Sequence, residues 1–231
     1  MIARTVELAR SVGLDVIYGD TDSLFVKNDP QRIGDIVRGI GEEIGLEARP
    51  EKVYRRLIFT EAKNKYCGLL STGEIDVVGL EAIRGDWAGV ARTAQRRVIE
   101  MMLMDEGVAK AMSYIGQYIS EILGGKVPKR DLVIWRTLTK PIESYEVRAP
   151  HVEAARIMKD QGWQPAVGDK IGYIIVKGAG LKLFQRSRPF AFMGGIEPDY
   201  QYYVENQVIP AVARVLSVYG VKGSDLLKAS D

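Results

Sequence analysis

Cysteine and histidine are nearly absent from this sequence, and long apolar runs are missing altogether. One cysteine, Cys67, and one histidine, His151, occur among 231 residues. A single cysteine excludes an internal disulfide framework, and so few sulfur and imidazole ligands argue against the usual zinc sites. No run of about 18 apolar residues occurs, and the first residues lack the apolar core of a secretory signal. We therefore expect a soluble, intracellular protein without a membrane span.

The chain also has little net charge. Its 32 basic and 30 acidic residues give a formal charge of +2. Bulk charge therefore provides little attraction for nucleic acid, and a nucleic-acid-binding protein of this composition would have to cluster its basic side chains. The hydrophobic fraction is 46%, which is enough for one large core or two smaller ones.

The spacing of apolar residues predicts an α+β fold, with strands concentrated in the first 80 residues. A helical pattern ends at Gly13, two apolar runs surround a Gly-Asp-Thr-Asp tip, and a second helix begins at Pro30. Between residues 51 and 79, β-forming residues broken by Ser-Thr-Gly predict two or three strands.

After Trp87 the pattern becomes mainly helical, so we place a domain boundary near 80–88. Asp86 is a candidate cap for the first of two helices. The later features are a possible strand at 132–135, a helix near 150–161, a strand within 168–178, a loop at 178–198, and a last helix at about 198–216 with a kink at Pro210.

The tip of the predicted hairpin carries two carboxylates. Strand alternation places Asp20 and Asp22 on one side of it, where their oxygens can bind hard divalent cations. Paired cations clamp the attacking and leaving oxygens of a phosphoryl displacement. An ordinary surface turn fits the same residues, because Asp and Gly are common turn formers. A sugar-nucleotide transferase with an Asp-x-Asp manganese site fits them too.

Six segments, in order, carry a resemblance to the family-B DNA polymerases. The hairpin resembles motif C, the next segment resembles the Lys-Lys-x-Tyr motif, the third resembles the junction of palm and thumb, and the last three resemble pieces of an archaeal thumb. These segments are YGDTDS, AKNKYCGL, GLEAIRGDWAGVARTAQRRV, PHVEAARIM, GDKIGYIIVKG and YYVENQVIPAVARVL. The resemblance implies that residues 1–84 are part of a palm, an antiparallel sheet with helices, and that residues 85–231 are a mainly helical thumb.

The resemblance also implies a role for each residue of the hairpin. Asp22 would bind both magnesium ions of a two-metal nucleotidyl-transfer site, with Asp20 supporting it. Tyr18, Gly19, Thr21 and Ser23 would shape the hairpin. The substrates implied are a primer–template duplex and deoxynucleoside triphosphates.

Nine further residues are implied as DNA contacts: Lys63, Asn64, Lys65, Tyr66, Arg84, Arg92, Arg96, Arg136 and Lys140. Asn64 stands where the family has its second lysine, which puts that contact in question. Plainer interpretations remain for the others. Lysines on a strand edge protect against aggregation, a polar helix face is usually just solvated, and Arg84 fits an ion pair with Asp86 or Glu81 as well as a phosphate contact.

Motifs A and B and an exonuclease domain have no counterpart in this sequence. We therefore expect the small subunit of a split, methanogen-type polymerase, a heterodimer whose magnesium ions are shared with a large subunit. That partner would carry motifs A and B and the exonuclease, and this chain would be inactive alone. A fragment of a longer enzyme and a non-catalytic DNA-binding accessory subunit remain alternatives. The tail has no evident sliding-clamp motif, and the expected location is cytoplasmic and nucleoid-associated.

Overall fold

The computed structural model describes residues 2–20 and 23–228, which form two compact units. The first comprises Met1–Arg56 and Leu69–Glu74, and the second comprises Leu57–Gly68 and Ile75–Asp231. Helices and small sheets are mixed along the chain, which confirms the predicted α+β class. The assignment of residues 1–84 and 85–231 to a palm and a thumb remains a prediction. In the described ranges, no helix combines the length and apolarity needed to cross a membrane.

The first unit is built on two helices and a hairpin. Helix α1 is Ile2–Ser11, strands β1 and β2 are Val16–Asp20 and Ser23–Val26, and helix α2 is Pro30–Gly39. The side chain of Asp29 accepts a hydrogen bond from the N–H of Arg32, which caps α2 as the sequence indicates. A short core joins these elements and contains the buried residues Ala9, Leu14, Ile36 and Ile40.

A three-stranded sheet follows, with strand order β3-β4-β5. Its strands are Tyr54–Phe59, Tyr66–Leu70 and Ile75–Val78. This agrees with the predicted two or three strands, and the turn between β4 and β5 lies at the predicted Ser-Thr-Gly.

Cys67 in β4 is completely buried. Burial raises the pKa of its thiol to about 12, because the apolar surroundings disfavour the thiolate. We therefore expect native protein at pH 8 to react with iodoacetamide about a thousandfold more slowly than protein unfolded in guanidinium. Mass spectrometry over time measures both rates, and native labelling as fast as unfolded labelling would contradict the buried position.

Helices dominate the second unit. Helix α3 is Gly89–Leu103, α4 is Val108–Leu123, α5 is Pro150–Asp160, α6 is Tyr200–Tyr203, α7 is Ile209–Leu216 and α8 is Gly223–Lys228. Helix α3 packs against α4 and α7. Its apolar face is buried at every third or fourth residue, including Val90, Ala94, Val98 and Met101.

A second three-stranded sheet lies within this unit, with order β6-β7-β8. Strands β6 and β7 are Ile134–Thr137 and Lys170–Ile175, close to the predicted strands. Strand β8, Ser187–Pro189, lies in the stretch predicted to be only loop. The three residues Ser-Arg-Pro are too few to give a periodic signal, and the strand is defined by its antiparallel pairing with β7.

The stretch predicted as one last helix is divided by a π-helical segment, Val204–Val208. Pro210 lies in the first turn of α7, directly after the π-helical segment, where its missing N–H interrupts the helical hydrogen-bond ladder. The side chain of Gln207 in the π-helical segment accepts a 3.1 Å hydrogen bond from the N–H of Ala88. Ala88 is the N-cap residue of α3 and has no capping side chain of its own, so Gln207 supplies the cap from elsewhere in the chain.

Candidate functional site

The hairpin of β1 and β2 forms as the sequence predicts. The strands are antiparallel, and Tyr18 pairs with Phe25, Gly19 with Leu24, and Asp20 with Ser23. Asp20 therefore belongs to the pair nearest the tip. Thr21 and Asp22, and the side chain of Asp20, lie outside the described residues, so the predicted metal ligands have no described geometry.

Aromatic packing fixes the strands below this tip. The rings of Tyr18 and Phe25 lie 5.9 Å apart, and those of Phe25 and Tyr54 lie 6.2 Å apart. A Cβ atom at Gly19 would lie 3.2 Å from Leu24 Cδ1, which leaves little room for any side chain there. The predicted shaping role of Tyr18 and Gly19 is compatible with this packing.

The donor set at the tip suits a hard divalent cation. Two aspartates separated by one residue provide only oxygen ligands, which magnesium prefers. Elsewhere in residues 2–20 and 23–228, no cluster of three or more His, Cys, Asp or Glu side chains is arranged to hold a metal ion. The chemistry of its two aspartates makes the hairpin the candidate metal site.

The predicted DNA-contact segment, Lys63–Tyr66, runs from the connection after β3 into the first residue of β4, Tyr66. The carbonyl of Lys65 accepts hydrogen bonds from the N–H of Thr60 at 3.1 Å and from its hydroxyl at 2.8 Å, which closes the connection into a loop. Asn64 has φ +57°, in the left-handed region that asparagine tolerates better than most residues. This conformation gives a local reason for asparagine at this position.

Close backbone approach also fixes Asn64. Gly79 has φ +66°, and a Cβ atom built there would lie only 2.2 Å from the carbonyl oxygen of Asn64. Glycine at position 79 thus allows the segment to pack directly against the end of β5.

Glu81 is a buried carboxylate at the centre of a charged cluster. Its side chain is 1% exposed, and its oxygens lie 2.7 Å from Lys65 Nζ, 2.7 Å from Gln95 Nε2 and 2.9 Å from Arg214 Nε. Burial acts to raise the pKa of Glu81, but hydrogen bonds from Lys65 and Gln95 and the charge of Arg214 outweigh it and lower the pKa. The carboxylate is therefore ionised and paired in the interior.

Gln95 extends this cluster into the helices. It is completely buried, and its Oε1 accepts a 2.6 Å hydrogen bond from the N–H of Ala82. Its Nε2 also donates a 2.6 Å hydrogen bond to the carbonyl of Ala211 in α7. The polar atoms of Gln95 are thus satisfied, and the cluster joins the short 3₁₀ turn Glu81–Ile83 to α3 and α7.

Sequence reasoning did not identify Gln95, and it considered Glu81 only as one possible partner of Arg84. One signal was available for Gln95, which is polar but occupies an interior position of the α3 pattern, next to Ala94 and one turn before Val98. A polar residue at such a position requires buried partners.

Asp86 contacts two of the predicted DNA-binding residues. Its carboxylate accepts two hydrogen bonds from Arg84, at 3.0 and 2.8 Å, and lies 3.4 Å from Arg136 Nη2. The hydrogen bonds from Arg84 lower the pKa of Asp86, and the charge of Arg136 adds to the effect. Asp86 is not the cap of α3, and that prediction is wrong, because the N-cap residue is Ala88 and the Asp86 carboxylate, two positions earlier, binds the arginines instead. Both arginines remain about half exposed, with side-chain exposures of 43% and 52%.

The remaining predicted DNA contacts, Arg92, Arg96 and Lys140, have different surroundings. Arg96 is exposed and makes no ion pair in the described part of the chain, whereas Arg92 one turn earlier is half-buried. The Nε of Arg92 is buried and has no hydrogen-bond partner among the described residues. Lys140 Nζ lies 5.1 Å from the ring centroid of Tyr145, a cation–π contact on the surface.

Comparison with known proteins gives a consistent result. A family model described as DNA polymerase family B matches residues 2–219. DNA polymerase 2 of Aeropyrum pernix is 46% identical over 221 residues, covering 96% of this chain and 27% of that protein. A DNA polymerase of Archaeoglobus fulgidus is 36% identical over 251 residues, covering 99% of this chain and 32% of that protein.

A solved structure gives the same match in three dimensions. The family B DNA polymerase from the hyperthermophilic archaeon Pyrobaculum calidifontis is similar with a TM-score of 0.71 and 39% identity, over 95% of this chain and 29% of that one. The chain spans about a third or less of the length of these relatives.

Proposed function

Because this chain belongs to DNA polymerase family B, we propose that it supplies the motif C carboxylates and the DNA-gripping thumb of a DNA-directed DNA polymerase. The observation that carries the proposal is the hairpin register. Asp20 pairs with Ser23 at the end of the two strands, and Thr21 and Asp22 stand between them in the sequence of a chain that the family matches almost throughout.

The proposed reaction is attack of a primer 3′-hydroxyl on the α-phosphate of an incoming deoxynucleotide, which releases pyrophosphate. Asp22 would hold two magnesium ions with support from Asp20. Bound there, the ions would lower the pKa of the hydroxyl and offset charge on the leaving pyrophosphate. The contribution of this chain is to present the two carboxylates on a hairpin whose strands are fixed by aromatic packing.

The proposed grip on the duplex uses basic side chains of the second unit. Arg84, Arg96 and Arg136 are exposed, and Lys63 is exposed within its loop. Contacts of this kind to phosphates orient a protein on DNA without reading its sequence.

The finer proposal concerns the rest of the active site. Motifs A and B have no counterpart here, so their residues would come from a large subunit in a heterodimer, or from the remainder of a longer chain. In the heterodimer, this chain would be inactive alone, and the assembly would act in the cytoplasm on nucleoid DNA.

Reconstitution tests this proposal. We expect a mixture of the chain with a large polymerase subunit to extend a primer in the presence of magnesium, and neither component to do so alone. Chelation with EDTA should stop extension. If the mixture binds primer–template but never extends it, with both chains folded, the chain is a non-catalytic accessory subunit.

Binding to primer–template should weaken as salt rises, with a log–log slope of about −0.9 for each phosphate neutralised. Replacing the exposed Arg96 with Gln should make this slope shallower by about 0.9, because one cation no longer displaces a counterion. Fluorescence anisotropy across a salt series measures the slope.

Arg130→Gln is the matched control, since Arg130 is also highly exposed but has no predicted DNA contact; its side chain is 79% exposed. Equal changes in the two variants would show that only bulk charge matters and would contradict the assigned role of Arg96.

A further inference from the structure

The Lys63–Tyr66 segment contains two lysines in contrasting environments. Lys65 has a side chain only 18% exposed, and its Nζ lies 2.7 Å from the buried carboxylate of Glu81. Lys63 is exposed and makes no hydrogen bond or ion pair within residues 2–20 and 23–228. One lysine is therefore already neutralised by the protein, and the other has its full charge available in solvent.

Lys65 is held at both ends. Its carbonyl accepts two hydrogen bonds from Thr60, while its ammonium is fixed by Glu81. Withdrawing that ammonium to contact DNA would break a 2.7 Å ion pair with a carboxylate that is 1% exposed, and would leave Arg214 as the one remaining cation beside it among the described residues. We therefore expect the side chain of Lys65 to stay paired with Glu81 and not to contact a phosphate.

Glu81 is itself fixed by the helices. Gln95 in α3 donates to its second oxygen, and Arg214 in α7 lies 2.9 Å from the first. The carboxylate therefore links the loop to two helices through one buried centre. The contact of Gly79 with the Asn64 carbonyl fixes the same loop at a second point.

We propose that Glu81 is a positioning residue, which locks Lys65 as a structural cation and thereby presents Lys63 as the cation of this loop that reaches a DNA phosphate. This inference rests on the proposed function, because it divides roles within a segment assigned there to primer–template contact. Lys63, Lys65 and Glu81 all belong to the second unit.

Single substitutions in the full chain separate the two lysines. Lys63→Gln should make the salt slope of primer–template binding shallower by about 0.9 and leave Tm unchanged. Lys65→Gln should lower Tm by about 5 °C or more, because it breaks a largely buried pair, and should also make the slope shallower by up to about 0.9, because the loop no longer holds Lys63 in place. Lys65→Arg should keep both values near those of the native protein by restoring the pair.

A double-mutant cycle tests the positioning role. In a Glu81→Gln background, the affinity lost on Lys63→Gln should shrink to less than half of its native value, because the loop no longer holds Lys63 in place. If Glu81→Gln does not fold, the same cycle in Lys65→Gln removes the lock from its other side. A purely structural Glu81 would leave the effect of Lys63→Gln unchanged, and that result would overturn the proposal.

Two other outcomes would also overturn it. A shallower slope with unchanged Tm in Lys65→Gln would make Lys65 the phosphate ligand. An unaltered slope in Lys63→Gln would show that Lys63 reaches no phosphate. Failure of the proposed function is distinguishable from both, since the native chain itself would then show no salt-dependent binding, and both proposals would fall together.

Discussion

Replacing Asp22 with Ala is expected to reduce primer extension by about a hundredfold to a thousandfold or more, the largest effect predicted for this chain. Alanine has no oxygen to offer a cation, and motif C would lose its principal ligand. Duplex binding should persist, because the basic side chains of the second unit are unchanged. Single-turnover extension by the reconstituted polymerase measures the first effect, and anisotropy measures the second.

Asp15→Ala is the matched control for this variant. Asp15 is an exposed aspartate immediately before β1, so its removal changes net charge equally but leaves the hairpin tip intact. Extension by Asp22→Ala at the rate of the native protein would refute the metal assignment. Equal losses of primer extension in both variants would show that the effect comes from the change in net charge and not from a lost metal ligand.

Gly79→Ala should be the most destabilising glycine substitution in the second unit, lowering its free energy of unfolding by about 2–5 kcal/mol. Two effects combine. Alanine at φ +66° is strained, and its Cβ would lie 2.2 Å from the Asn64 carbonyl oxygen, so the backbone has to move. The corresponding fall in Tm is about 5–15 °C for a protein of this size, measured by calorimetry.

Two controls separate these effects. Gly180 has φ +73° and no atom within 4 Å of a built Cβ, so Gly180→Ala reports backbone strain alone. Gly85 has neither a positive φ nor a close neighbour, so Gly85→Ala should be nearly neutral. If Gly79→Ala matches Gly180→Ala in stability, the contact with Asn64 adds nothing and the loop is less tightly fixed than the structure indicates.

Local patterns in the sequence predicted the regular elements well. Helices α1 and α4 each carry apolar residues at helical spacing and stop close to a glycine, Gly13 or Gly124, and the two apolar runs around Gly-Asp-Thr-Asp pair as a hairpin. These features depend on residues close together in the chain, where periodicity and turn chemistry are informative.

Features that depend on distant partners were missed. Strand β8 exists only because β7 lies beside it, and Asp86 was assigned to a helix cap although Arg136, fifty positions away, competes for its carboxylate. The candidate site also divides into features that the sequence reveals and features that depend on distant partners. The candidate residues came from motif resemblance, whereas the link from Lys65 through Glu81 to Gln95 required the folded arrangement.

The cap that Gln207 provides to Ala88 has a consequence for the order in which the second unit forms. During synthesis, α3 emerges long before position 207 exists, so the N–H of its N-cap residue Ala88 lacks its Gln207 partner until more than a hundred further residues have been added. Loop closure over that separation is slow compared with local helix growth. We therefore expect α3 to remain frayed at its start on the ribosome, and to become protected against amide hydrogen exchange only when α7 docks in a single late, cooperative event.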